Sequence, residues 1–246
     1  MILGAICAAT TGLSAIGARA QQVPQHFNVS PSAGATVSVA TLRIPDKAWK
    51  HFAKAKTAAE HNRPDESGRE IAQAIAIAPD FAAAYLLRAD LQIKAHAFAE
   101  AIDSVAQARR SDPEIPLAGI LLAGAYNGLR RYSEANLVLK NLHGAEAQSW
   151  QATYERARAA TGLSDIDAAL RWSTQALELA PEHFPDVYLV RANALMLAQR
   201  WTEAEVQLQT YLNSNGPILH RDEVSTALIA VHERIRQQDL ANVASR

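Results

Sequence analysis

A small residue returns at a fixed interval along this chain: Ala55, Ala89, Ala123 and Ala157 fall 34 residues apart, and Ala192 follows after 35. A period held that tightly describes an array of similar helical hairpins, because a single globular core imposes no fixed spacing. A second ladder runs twelve residues downstream, through Ser67, Ala101, Ala135, Ala169 and Ala204. Small residues twice per repeat mark where helices come close. A third ladder closes each unit with Pro79, Pro113 and Pro181, with Ala147 on the missing rung and Pro217 slightly late. Proline ends a helix because it lacks the amide proton and its ring clashes with the preceding turn.

Each unit reads as two helices. In the second, residues 82–95 and 99–110 are good helix formers without internal proline or glycine, and Asp112-Pro113 stops the pair. A bulky residue opens most second helices, at Phe98, Tyr132, Ile166 and Trp201, with Pro64 in the first unit. Acids follow at Glu66, Glu100, Glu134 and Glu203, in the first turn, where the peptide dipole favours negative charge.

A small residue, an alanine twelve on, a further alanine at Ala74, Ala108 and Ala176, and a terminal proline, all at period 34, form a pattern that resembles the tetratricopeptide repeat, or TPR. Leu142 and Tyr211 replace the late alanine, and the early aromatic is present as Tyr85 and Tyr188 but absent from the third unit. The resemblance implies an all-α chain, a right-handed α-solenoid of about five helix-turn-helix units over 46–217. An alanine-rich bundle, the plainer alternative, has no reason to keep register over five units.

Beyond the repeats, Val224, Leu228, Val231 and Ile235 form one apolar stripe, opposite Glu233, Arg236 and Gln237. A half-polar helix of this kind caps a solenoid, so 218–240 is the expected capping helix, with Asp222 at its start and a tail over 241–246. At the other end, 1–20 is expected to be a secretory signal. No charge falls between Ile2 and Ala18, and Ala18-Arg19-Ala20 gives a small-x-small cleavage pattern, although no base precedes the apolar run. The run is short and diluted for a membrane anchor, so membrane contact would come only through this segment left uncleaved. Export to the periplasm or outside the cell follows, and cleavage would remove Cys7, the only cysteine. Residues 21–45 carry Pro24, Pro31 and Gly34 and read as an extended lead-in.

The net charge of −1 gives nucleic acid no attractive field. Lys47, Lys50 and Lys54 make one stripe on the first helix, expected to be a solvated outer face. A base also precedes four of the five phase-setting alanines, at Lys54, Arg88, Arg156 and Arg191, and pairing with acids on neighbouring helices is its expected role. His232-Glu233 opens like a zinc-protease helix, but position 236 is arginine. The eight histidines show no ligand spacing, and the chain has neither a phosphate-binding Gly-Lys-Ser/Thr loop nor a nucleophile elbow. No metal, no cofactor and no catalysis are expected.

Binding by surface shape remains. The TPR resemblance implies that first helices line a concave groove, which places Leu86, Asp90 and Ile93, then Leu117, Ile120, Gly124 and Asn127, then Gln151, Tyr154 and Arg158, and finally Leu189, Asn193 and Met196 on the inner wall. The positions at which some TPR proteins carry a carboxylate-gripping lysine hold Phe52, Leu86, Ile120, Tyr154 and Leu189. The expected function is a scaffold that takes an apolar helix or extended protein segment in that groove. Self-association into a homo-oligomer of the cell envelope, or service as an accessory subunit of an envelope enzyme, are the alternatives.

Overall fold

A computed structural model describes residues 43–180, 184–214 and 221–244. The expected signal with Cys7, most of the lead-in, Pro181 and Pro217 lie outside the described residues.

The described residues hold twelve α-helices and no strand. They pair as the periodicity predicts: α1 (Asp46–Glu60) with α2 (Pro64–Ile77), α3 (Ala82–Lys94) with α4 (Phe98–Ser111), and α5 (Ala118–Gly128) with α6 (Tyr132–Lys140). After the short α7 (Gly144–Ala147) come α8 (Trp150–Gly162) with α9 (Ile166–Leu179), and α10 (Asp186–Leu197) with α11 (Trp201–Leu212). The last helix, α12 (Arg221–Ala244), packs on α11 and continues past Leu240, where a tail was expected. The fold is therefore the all-α helical-hairpin array of a solenoid. It divides into two compact units, one ending at Ala147 and the other beginning at Gln148.

The alanine ladders are the seams. Ala55, Ala89, Ala123, Ala157 and Ala192, together with Ser67, Ala101, Ala135, Ala169 and Ala204, are all fully buried. Small side chains there let helix backbones approach, and dispersion contacts accumulate along the crossing. At Ser67 the buried hydroxyl donates to the Ala55 carbonyl at 2.8 Å, so even the polar rung joins the two ladders of its hairpin. The two departures from the late-alanine rung are compensated in different ways. Tyr211 is fully buried in a cluster with Leu195, Val224 and Val231, closing the C-terminal unit. Leu142 instead occupies the space that a side chain at position 119 would need, and that position is glycine.

Every hairpin turns through the same backbone device, which the sequence reading did not anticipate. Asn62, His96, Arg130, Ser164 and Gln199, each seven residues after a phase-setting alanine, adopt positive φ between 55° and 61°. The amide of the next residue then reaches back over the end of the first helix, as Arg63 to the Ala58 carbonyl and Arg200 to the Leu195 carbonyl, at 2.8 and 2.9 Å. This left-handed cap satisfies helix-end carbonyls that would otherwise lack partners. None of the five is glycine, so each stores local strain. Gln199→Gly is expected to stabilise the C-terminal unit by about 0.5–1 kcal/mol, whereas Gln199→Val should destabilise it. Thermal melts of the two variants check the sign.

Three of the four acids at the second-helix starts have an arginine partner as well as a dipole. Arg63, Arg131 and Arg200, each immediately before its helix, pair with Glu66, Glu134 and Glu203 at 2.7, 2.8 and 2.5 Å. These exposed pairs orient the turns and add little stability. The hydrogen bond from the preceding arginine holds the Glu134 and Glu203 carboxyls below the ordinary range.

The interior arginines behave differently from expectation. Arg88 donates to the Ser104 hydroxyl at 3.0 Å, and Arg191 to the Leu170 carbonyl and the Ser173 hydroxyl at 3.0 and 3.2 Å. Arg156 lies over the Trp172 ring, 4.9 Å from its centroid. Side-chain hydroxyls, a backbone carbonyl and a ring face thus receive the guanidinium groups of this ladder.

Candidate functional site

First helices have a layer to themselves. In the N-terminal unit α1 touches α3 and α3 touches α5, and in the C-terminal unit α8 touches α10, while second helices make no comparable contact with one another. Helix faces turned away from the second helices therefore form a shared surface in each unit.

In the C-terminal unit that surface is built on α8. The Ser149 hydroxyl accepts from the Ala152 amide at 3.2 Å and fixes where α8 begins. Gln151, Tyr154 and Arg158 then recur at three and four residues on one half-buried stripe. The Tyr154 ring meets Phe184 edge-on with centroids 5.1 Å apart, and Trp150 packs on the same phenylalanine at 4.7 Å. Arg158 reaches over Tyr154, 5.8 Å from the ring centroid, and its guanidinium donates to both carboxylate oxygens of Glu155 at 3.0 Å. Burial drives the Tyr154 phenol to stay protonated well above its usual range. Thus Tyr154 is an apolar plate with a neutral hydroxyl, and Arg158 is a cation already oriented by its neighbour. On α10, which packs beside α8, Leu189 and Asn193 are half-buried in the register of Tyr154 and Arg158, but Met196 is 6 % exposed and belongs to the core.

The N-terminal unit corrects more of the expected wall. Leu86 and Ile120 are 1 % and 4 % exposed and fill the packing between helices. Asp90 and Asn127, both 4 % exposed, and Gly124 are buried as well. The Asp90 carboxylate is engaged by Lys94, one turn along the same helix. Leu117 is not on a helix at all: with φ 69° it precedes α5, whose start is pushed late by Pro113 and Pro116. Of the residues of this set that stand on a helix, Ile93 is the half-buried one. A first helix packs against its own second helix and against its first-helix neighbours, which leaves only a narrow stripe for a ligand.

Sequence reasoning missed what α1 offers. Trp49, Phe52 and Phe81 form an aromatic cluster with centroids 4.6–5.7 Å apart. Phe52 holds the register of Tyr154 three periods earlier, and Lys56 that of Arg158. Each unit thus opens on a half-buried aromatic pair with a base one turn further on. The spacing of Trp49, Phe52 and Lys56 was a readable signal. On the outer side of α1, Lys47, Lys50 and Lys54 are exposed as expected, and His51 donates to Glu70 on α2 at 2.7 Å. Among the described residues no group of three metal-ligating side chains converges, and no helix is long and apolar enough to cross a membrane.

Among solved structures, the chain is similar to a thermophilic TPR protein of Thermus thermophilus, with 20 % identity over 74 % of this chain and 99 % of the other, and a TM-score of 0.60. It is also similar to MamA of Desulfovibrio magneticus RS-1, with 14 % identity over 80 % of this chain and 99 % of the other, and a TM-score of 0.52. No protein-family model and no curated protein matches the sequence. The likeness extends the period-34 reading to three dimensions: the fold is of the TPR type.

Proposed function

We propose that this chain of TPR-type fold is a non-catalytic scaffold of an exported compartment, and that it captures an apolar protein segment on the first-helix face. The observation that carries this reading is the α8 stripe, where Tyr154 lies half-buried against Phe184 with the oriented cation of Arg158 above it. A rigid aromatic plate supplies apolar contact area at low conformational cost, and such anchors dominate binding energy at protein interfaces. Arg158 adds a donor for a partner's carbonyl or carboxylate beside that plate. The half-buried Leu189 and Asn193 on α10 give a bound helix or extended segment a second row of contacts.

The test is capture from the native cell-envelope fraction. Replacing Tyr154 with alanine and Arg158 with glutamate together is expected to leave helical content nearly unchanged and to weaken capture roughly tenfold or more, at least about 1.4 kcal/mol. Gln107→Ala and Arg171→Ala, on second helices, should leave capture intact. Loss of capture in the second-helix variant with none in the first would move the binding surface to the other face of the hairpins. For export, a processed protein that begins at Gln21 and does not react with a maleimide is the expected product, because Cys7 would be gone.

A further inference from the structure

The exposed face of α12 carries an arrangement that the proposed function does not use. The helix packs on α11 through Val224, Leu228, Val231 and Ile235, and His232 reaches Glu205 at 2.8 Å. Its opposite face presents Ile229, Glu233, Arg236 and Leu240, which recur at four, three and four residues and so share one stripe. Ile229 is 70 % exposed, Leu240 63 %, and Val243, next along the same side, 73 %. Val243 and Ile229 are the two most exposed large apolar residues among those described. Solitary exposed hydrophobics are ordinary, but a row of them on the far side of this helix is a face that no helix among the described residues covers.

The row reads the same in both directions. Taken from either end it runs apolar, charge, charge, apolar, with an acid on one side of its midpoint and a base on the other. Two copies of α12 laid antiparallel about a twofold axis between Arg234 and Ile235 would bring Ile229 against Leu240 of the second copy. The same operation sets Glu233 against Arg236 of the second copy, twice by symmetry. Within one chain, Glu233 and Arg236 already face each other at 3.0 Å, so both are poised on that stripe. Isologous contacts require this self-complementarity, in which one residue meets a second on the other copy and that second residue meets the first in return. From this charge palindrome flanked by exposed apolar residues, we propose that α12 is a self-association surface. Its occupant is α12 of a second copy of this chain, packed antiparallel.

A charge-swap cycle on the full chain tests it. Sedimentation or light scattering over a concentration series up to roughly 100 µM should show the wild type passing from monomer to dimer, a weak association suited to one helix pair. Glu233→Arg gives two bases in the row and Arg236→Glu gives two acids, so either variant alone should remain monomeric. An equimolar mixture of the two variants restores both opposite-charge pairs and should recover dimer, which a merely misfolded variant cannot do. Ile229→Asp should abolish dimer alone and in the mixture. A wild type that stays monomeric over that range, a dimer indifferent to the single swaps, or no recovery on mixing would overturn the proposal.

Discussion

Ala123→Leu is expected to destabilise the N-terminal unit by on the order of 1–3 kcal/mol, the usual penalty for forcing a large side chain into a closed contact. Ala123 on α5 and Ala135 on α6 are both fully buried, at the two ladder positions of the third hairpin. The helices meet there because neither carries bulk. Leucine must push α6 outward or adopt a poor rotamer, and either response disturbs a core that has Leu121 and Ala125 on its other side. In a body of about a hundred residues each kcal/mol lost lowers the melting temperature by about 4–8 °C. Ser133→Ala, exposed in the first turn of α6, serves as the control and should melt within error of wild type. Equal melting temperatures for the two variants would place the ladder outside the seam.

The second large effect reverses an ordinary rule. Glycine inside a helix usually costs up to about 1 kcal/mol relative to alanine, so Gly→Ala there is normally stabilising. At Gly128, the last residue of α5, a β-carbon would instead sit within the van der Waals shell of the Phe98 ring. That ring opens α4, is half-buried and stacks edge-on with His96 at 5.6 Å, so its retreat is hindered. Gly128→Ala is expected to lower stability by about 1–3 kcal/mol. The double variant with Phe98→Ala should recover part of the clash, and a double-mutant cycle on denaturant midpoints measures the coupling. Additive effects would show that the two positions do not touch.

These two predictions also show what periodicity could and could not convey. Recurrent alanines stand for a constraint on side-chain size, and size constraints repeat visibly, so hairpins, seams and the capping helix were legible residue by residue. Asn62, His96, Arg130, Ser164 and Gln199 share a backbone conformation and no side-chain chemistry, so nothing in their identities announced the left-handed turn. Depth was hidden for a related reason. Leu86, Ile120 and Met196 have the register of groove residues, but neighbouring helices decide whether that register faces a ligand or the core, and here it faces the core. Tyr154 and Arg158 stay half-buried, the first packed against Phe184 and the second paired with Glu155. The arginine ladder misled in the same way: a regular row of bases suggests a regular row of acids, but the structure fills it with Ser104, Ser173 and the Trp172 ring.

The central claim is that the face of the first helices captures a protein segment, and site-specific photo-crosslinking in the native host tests it most directly. A photoreactive amino acid in place of Gln151, half-buried on α8 beside Tyr154, samples that face, and one in place of the exposed Arg171 on α9 samples the other. The account predicts a discrete higher-mass adduct from position 151 that disappears when Tyr154→Ala is added, and none from position 171. An adduct from position 171 with none from position 151 would contradict it.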